Sequence, residues 1–319
     1  MDQKTVLVTG GAGFIGSHLT EALIRANFTV VVVDNFNRFY SPSQKANNLS
    51  AVKNRPHFFL HRADIRDVNI LKEIFSKYNF DCVIHLAAMA GVPPSLENPR
   101  LYADVNVIGT ICLLERVKEF GIKHFIFGSS SSVYGDRQVG PFKESDSTDK
   151  QISPYGATKK AGELLCQVYA KLYHIQTTII RFFTVYGPRN RPDMACFRFL
   201  DSLMKNHPLM RFGSGNSSRD YTFIDDVVEG IIAAVKKPFN FETINLGNSH
   251  PIILNELIST LETVTGKKAN INKLPAQPGD VNQTYADIKK AQSLLGYQPK
   301  VTLLKGISQL FDWYTQHYQ

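Results

Sequence analysis

The chain has 319 residues, 43% of them apolar and 20% charged, which is the make-up of a globular protein with a core large enough for one or two domains. It contains no stretch of about 18 uncharged apolar residues, the length a membrane span requires. The net charge of +8 favours anionic partners, but Lys and Arg are spread without a basic block or a nucleic-acid motif, so a small polyanionic ligand accounts for it at least as well as RNA or DNA.

The N-terminal "MDQKTVLVTGG" enters a strand pattern at once and leaves no room for the charged and apolar regions of a secretory leader. A cytoplasmic protein is expected. Cys82, Cys112, Cys166 and Cys196 are far apart in apolar or helical patterns, which suits buried thiols in a reducing compartment, and with no Cys-x-x-Cys pair no metal site is expected.

Short Val/Ile-rich runs then alternate with helical patterns: "TVLVTG", a helix over 14–27, "TVVVVD", a connection, "HFFLHRAD", a helix over 68–78, "CVIHLAA", a helix over 98–120, and "HFIFGSS". Apolar rather than alternating strands, separated by helices, predict a parallel sheet covered on both faces. The expected fold class is α/β, a Rossmann-type doubly wound parallel sheet. A long helix over 153–173 and the strand "TTIIRF" follow, after which regularity fades into Gly-, Pro- and polar-rich loops, "YGPRNRPD", "FGSGNSSRD" and "LPAQPGDVNQ", between helices over 225–235 and 254–265. Such loops carry function when a scaffold holds them. The expected division is a cofactor domain over 1–182 and a smaller α/β substrate domain over 183–319, with some chain crossing back.

"VTGGAGFIGSH" places Gly10, Gly13 and Gly16 between the first strand and the first helix, with Phe14 and Ile15 opening that helix. Glycines let the backbone turn tightly and approach a pyrophosphate, whose charge is met by the helix N-terminus. The second strand ends at Asp34, followed by Asn35, where a carboxylate accepts hydrogen bonds from ribose hydroxyls and repels a ribose phosphate, so NAD is expected over NADP. Asp64 and Ile65 after the third strand, and Leu86, Ala87 and Ala88 after the fourth, fall at the same carboxyl edge, and the alanines allow close approach of a cofactor.

"SPYGATKKAGE" gives Tyr155 and Lys159 one helical turn apart on one face. A phenol is a poor base at neutral pH, but a neighbouring ammonium favours phenolate, and the same lysine can reach the nicotinamide ribose.

The glycine turn, "SSSSVYG" (Ser129 to Gly135) and Tyr155-x-x-x-Lys159 resemble the extended short-chain dehydrogenase/reductases, specifically the nucleotide-sugar epimerases and dehydratases, over essentially the whole chain. The resemblance implies that Ser130, three places before Val133, contacts the sugar O4 and the catalytic tyrosine, that Ser129 lies beside the cofactor, and that Phe182 lines the nicotinamide pocket. Dehydratases of this family carry Asp-Glu immediately before that valine, and the uronic-acid decarboxylases a Glu next to it; here these places hold Ser131 and Ser132. Elimination and acid-assisted decarboxylation then lack their proton donor, which leaves oxidation and re-reduction at one carbon.

A narrower resemblance, to the UDP-glucuronate 4-epimerases, is carried by "RFFTVYGPRNRPDMA", "AQPGDVNQTYADI" and "DNFNRFYSPSQKANNL". UDP-glucose 4-epimerases usually have Asn at Thr184 and Arg at Gln277. A 4-keto uronic acid is a β-keto acid prone to lose carbon dioxide, and Ser131, Ser132, Thr184 and Arg191 are expected to cradle its carboxylate. Arg219, with Asp280, resembles the family's grip on the nucleotide diphosphate and ribose. The resemblance also implies a homodimer built on the helices over 98–120 and 153–173. Two rivals stay open: a UDP-glucose or UDP-N-acetylhexosamine 4-epimerase, and a non-catalytic NAD-bound sensor or scaffold.

Overall fold

The computed structural model describes residues 3–137, 139–275 and 283–318. In chain order the elements are β1 (Thr5–Thr9), α1 (Phe14–Arg25), β2 (Thr29–Asp34), α2 (Pro42–Asn48), β3 (Phe58–Arg62), α3 (Val68–Lys77), β4 (Cys82–His85), α4 (Val92–Glu97), α5 (Pro99–Ala103), a π-helical turn (Asp104–Ile108), α6 (Gly109–Glu119), β5 (His124–Ser130), a 3-10 turn (Ser131–Tyr134), α7 (Pro154–Tyr173), β6 (Gln176–Phe182), β7 (Thr184–Tyr186), α8 (Ala195–Met204), β8 (Leu209–Phe212), β9 (Ser218–Phe223), α9 (Ile224–Lys236), β10 (Phe241–Leu246), β11 (Pro251–Ile253), α10 (Leu254–Thr265), β12 (Ile271–Leu274), β13 (Gln283–Thr284), α11 (Lys289–Leu295) and α12 (Leu303–Tyr318). No described helix is long and apolar enough to cross a membrane.

The chain divides into two units. The first comprises residues 1–135, 147–181 and 228–244; the second comprises 136–146, 182–227 and 245–319. The first holds a seven-stranded sheet in the order β10-β6-β5-β4-β1-β2-β3. Strand β1 pairs in parallel with both β2 and β4, and β2–β3 and β4–β5 are also parallel. Val6 to Val8 and Val30 to Val33 are fully buried, as β-branched runs covered on both faces must be. The expected α/β doubly wound fold is therefore present. Strand order reverses between β1 and β4, and in such sheets ligands bind outside the carboxyl ends of the strands at that point.

The second unit pairs β9 with β11, β13 and β7, and β8 with β12. Asp220, fully buried in β9, ties its parts together, accepting backbone hydrogen bonds from Asn248 (2.6 Å), Ser249 (3.0 Å) and Ala286 (2.9 Å). Burial raises its carboxyl above the usual range while those amides oppose the rise.

Three readings of local structure need correction. The helix expected over 98–120 is broken: α5 ends at Ala103, a π-turn follows, and α6 begins at Gly109. Asn106, buried within that turn, explains the break, since its side chain both accepts from and donates to the Met89 backbone (2.8 and 2.9 Å) and donates to Thr158 (3.0 Å). The connection after β2 contains α2, started by Pro42 and capped by Ser41. The region after β6 is more regular than its loops suggest, with β7 to β13 in order.

A buried polar chain crosses the switch point. Thr110 Oγ1 donates its single proton to the Asn106 carbonyl (2.6 Å), so the imidazole Nε2–H of His85 must donate to Thr110 (3.0 Å). His85 Nδ1 then accepts from Thr9 Oγ1 (2.7 Å), which in turn accepts from the Ala87 amide (3.2 Å). Protonating His85 would break this chain, and burial pushes its pKa down to about 3 from 6.5. Because the unfolded chain binds that proton first, stability falls as pH drops from about 6.5 towards 3. His124, held to about 4 by burial, adds to the same acid limb. In urea titrations across that window, His85→Asn, which keeps a polar group that cannot titrate, is expected to show a shallower loss of stability than the parent; parallel curves would contradict it.

Candidate functional site

The glycine turn forms because only glycine fits it. Gly10 has φ +70°, and a Cβ there would lie 2.7 Å from the Ala87 amide nitrogen; at Gly16 it would lie 2.2 Å from the Gly10 carbonyl. Gly13 caps α1 without a side chain, which leaves the amides of the first turn, from Phe14 through Gly16, to an outside acceptor. The turn is held from below by Asp34, which accepts from the Ala12 amide (3.1 Å) and the Phe36 amide (2.8 Å). Desolvation raises the Asp34 carboxyl, against these bonds and the charge of Lys45. Asn48 adds a hydrogen bond to the Ala12 carbonyl (3.0 Å).

At the neighbouring strand ends, Asn35 donates to Asp64 (2.9 Å), and Arg66 grips Asp64 with two bonds of 2.8 Å. That fork holds the Asp64 carboxyl down at about 2. Ile65 is buried and packs where a Cβ on Gly109 would stand 2.5 Å from its Cδ1. Leu86, Ala87 and Ala88 lie partly buried after β4, with the Leu86 amide bonded to the Thr9 carbonyl (3.1 Å).

Tyr155 and Lys159 occupy the first turns of α7, which starts at Pro154 and is capped by Ser153 accepting from the Gly156 amide (3.1 Å). The Tyr155 ring meets Tyr102 edge-on at 6.2 Å. Lys159 is buried, and its Nζ donates to the Gly128 carbonyl of β5 (2.7 Å). Burial pushes its pKa down to about 8, while the nearby Glu163 pulls it up. Two glycines bring helix and strand this close. A Cβ on Gly156 would stand 2.7 Å from the Ser132 carbonyl oxygen, and one on Gly162 would stand 2.4 Å from Phe127 Cζ.

The serine run leaves the end of β5 at the same carboxyl edge. Ser129 donates to Glu163 (2.6 Å). Ser130 caps the 3-10 turn, accepting from the Ser132 amide (3.1 Å) and donating to the Ser132 hydroxyl (3.2 Å). Ser131 and Ser132 are partly buried, and Gly135 closes the turn with φ +64°, where a Cβ would overlap the Lys150 carbonyl at 1.8 Å.

In the second unit, Phe182 is buried and Thr184 is partly buried opposite Tyr221. Arg191 forks onto Asp193 (3.0 and 2.6 Å), so a substrate carboxylate would have to share or displace that pair. Arg219 lies on β9, its Nη1 donating to the Ser218 carbonyl (2.9 Å). Asp280 and Gln277 lie outside the described residues.

Asn106, Glu163, Gly156 and Gly162 were not singled out from the sequence. Glu163, four residues beyond Lys159, had a signal in its helical spacing, since it repeats the face that carries Tyr155 and Lys159. Asn106 had none, because its partners, Met89 and Thr158, are distant in the sequence.

The arrangement pairs a dinucleotide-type turn with a tyrosine and a buried lysine beside a hydroxyl-lined turn. It can hold a pyrophosphate, and it can move a proton at an alcohol, as oxidoreduction at a carbinol carbon requires.

Comparison with known proteins gives the same assignment. A UDP-glucuronate 4-epimerase of Thermodesulfobacterium geofontis is 44% identical over 308 residues, covering 96% of this chain and 95% of its own. The crystal structure of UDP-glucuronic acid 4-epimerase from Bacillus cereus, in complex with UDP-glucuronic acid and NAD, superposes with a TM-score of 0.93 at 41% identity, over 98% of this chain and all of that one. A UDP-glucose 4-epimerase of Thermotoga maritima, solved with UDP-glucose, reaches a TM-score of 0.90 at 33% identity over 99% of this chain and all of its own. The family model described as GDP-mannose 4,6 dehydratase matches residues 7–310, and the chain belongs to that family, within the extended short-chain dehydrogenase/reductases.

Proposed function

We propose that the protein is a NAD-dependent UDP-glucuronate 4-epimerase, interconverting UDP-glucuronate and UDP-galacturonate. The observation that carries this reading is the serine turn set against α7: hydroxyls stand where the family's dehydratases hold carboxylic acids, beside a tyrosine whose neighbouring lysine is buried and hydrogen-bonded. Similarity to epimerases solved with UDP-glucuronic acid and NAD supports it.

The glycine turn fits a dinucleotide on its own geometry, since side chains at Gly10 and Gly16 would close the backbone cradle. NAD would be held by Gly10, Gly13, Phe14, Ile15, Gly16, Asp34 and Asn35 around its adenosine and pyrophosphate, by Asp64, Ile65, Leu86, Ala87 and Ala88 along the strand ends, and by Ser129, Tyr155, Lys159 and Phe182 at the nicotinamide end. When bound, it supplies a reversible hydride acceptor for the sugar C4. Tyr155 Oη takes the proton from the sugar O4 and later returns one to O4 when the ring presents its other face, so a single residue serves both directions. Lys159, charged below about pH 8, stabilises the phenolate, and Ser130 orients O4. Ser131, Ser132, Thr184 and Arg191 restrain the uronate carboxylate, and Arg219 with Asp280 binds the nucleotide.

Purified protein, given no added cofactor, is expected to convert UDP-glucuronate deuterated at C4 into an epimer of unchanged mass, and Tyr155→Phe to lower turnover by at least about 100-fold. Turnover of UDP-glucose or UDP-N-acetylhexosamines in preference would favour the rival epimerases, and loss of the label to water would refute the mechanism. Thr184→Ala is expected to raise the share of decarboxylated UDP-pentose among the products, measured by mass spectrometry; an unchanged ratio would count against the carboxylate restraint.

A homodimer through α6 and α7 is part of this proposal. It is supported by Leu164, Val168 and Leu172, exposed by 49, 49 and 60% at four-residue spacing along α7, with Ile108 exposed by 49% in the π-turn. Light scattering is expected to give a dimer that Val168→Glu converts to monomer; a monomeric parent protein would sink it.

A further inference from the structure

The serine turn is tethered at both ends to one buried ion pair, and the proposed chemistry assigns that pair no task. Glu163 and Arg181 are 5% and 4% exposed. Arg181 binds both carboxylate oxygens, Nε to Oε1 and Nη2 to Oε2, each at 2.8 Å. Ser129, the last residue before the turn's cap, donates to the same Oε1 (2.6 Å). At the other end, the Arg181 guanidinium lies 4.8 Å over the Tyr134 ring and is hydrogen-bonded to the Tyr134 side chain. Lys160 approaches Oε2 at 3.7 Å from the side.

Three elements are joined here. Glu163 comes from α7, Ser129 from β5 and Arg181 from β6. Lys159 fixes the helix to β5 at the Gly128 carbonyl, and Gln151 donates to the Val133 carbonyl inside the turn (2.6 Å). The ion pair, one helical turn beyond Lys159, adds a hold at each end of the turn, at Ser129 and at Tyr134. A buried ion pair is poor value as stability alone, because its desolvation offsets much of its attraction, whereas its directional bonds fix geometry.

We infer that Glu163 and Arg181 are positioning residues: by gripping Ser129 and Tyr134 they set Ser130, Ser131 and Ser132 in place against the helix that carries Tyr155 and Lys159. Neither touches substrate or cofactor; both act through the turn. The catalytic part of the inference rests on the epimerase reading, whereas the positioning part does not.

The test uses the full chain. Glu163→Gln leaves the Arg181 charge without its partner and risks the fold, so the informative variant is Ser129→Ala/Tyr134→Phe, which removes the hydrogen bond at each end of the turn, leaves an aromatic ring under the guanidinium and keeps the ion pair, with Tyr134→Phe alone as the control for the place of Ser129 beside NAD. Hydrogen exchange of amides 130–135 is expected to quicken about 10-fold or more, with the helix over 160–173 unchanged. With UDP-glucuronate, kcat is expected to fall about 10- to 100-fold and KM to stay within about 2-fold. In a Ser130→Ala background the same pair of substitutions is expected to cost less than about 3-fold further, because both act through one group. Unchanged exchange in the turn, an unchanged kcat, or losses that simply add to that of Ser130→Ala would overturn the inference. A parent protein that turns over no UDP-sugar would refute the epimerase reading instead, and the exchange result would still decide whether the pair positions the turn.

Discussion

The hydrogen bond from Lys159 to the Gly128 carbonyl is the contact on which the site depends. It requires α7 to lie almost on the backbone of β5, and that approach is possible because Gly156 and Gly162 present no Cβ to Ser132 and Phe127. The same approach buries the ammonium and pushes its pKa down, so the group beside Tyr155 is a charge with little water around it. Packing and chemistry are here one constraint: a helix standing further out would be easier to build and would leave the lysine an ordinary solvated cation.

A second constraint acts from the other side of the switch point. The Thr9–His85–Thr110–Asn106 chain runs from the strand below the glycine turn to the π-turn, and Asn106 passes it on to Thr158, whose hydroxyl donates to the Tyr155 carbonyl (2.9 Å). The cradle for a dinucleotide and the first turn of α7 are thus parts of one hydrogen-bonded structure. A neutral, buried histidine serves well at its centre because its two nitrogens can accept and donate in opposite directions.

Much of this was legible in the sequence where a residue type is forced by geometry. Gly10 and Gly16 are forced by close backbone approach, and the apolar strands by burial on two faces, so the α/β fold and its carboxyl edge could be read directly. Tyr155 and Lys159 were legible by spacing, and Ser129 to Ser132 because hydroxyls are odd at the end of a buried strand. Asn106 and His85 were not, since each is an ordinary residue in a helical or strand pattern until the fold supplies its partner, and for Glu163 the helical spacing marked the face but not its partners Ser129 and Arg181. Local pattern also hid the π-turn, which exists to satisfy a long-range contact to Met89, and the pairing of the short strands around β9, which Asp220 organises from the interior.

The threading of the chain has a consequence for synthesis. The first unit takes its edge strand, β10, and most of α9 from residues 228–244, after the chain has already laid down β7, β8 and β9 of the second. As the polypeptide emerges, β6 therefore waits at an open sheet border until over two hundred residues have been made, and a product ending near residue 227 would display that border permanently. Neither half can be trimmed away cleanly, so fragments of this gene are expected to yield sticky intermediates in place of a miniature dinucleotide-binding module.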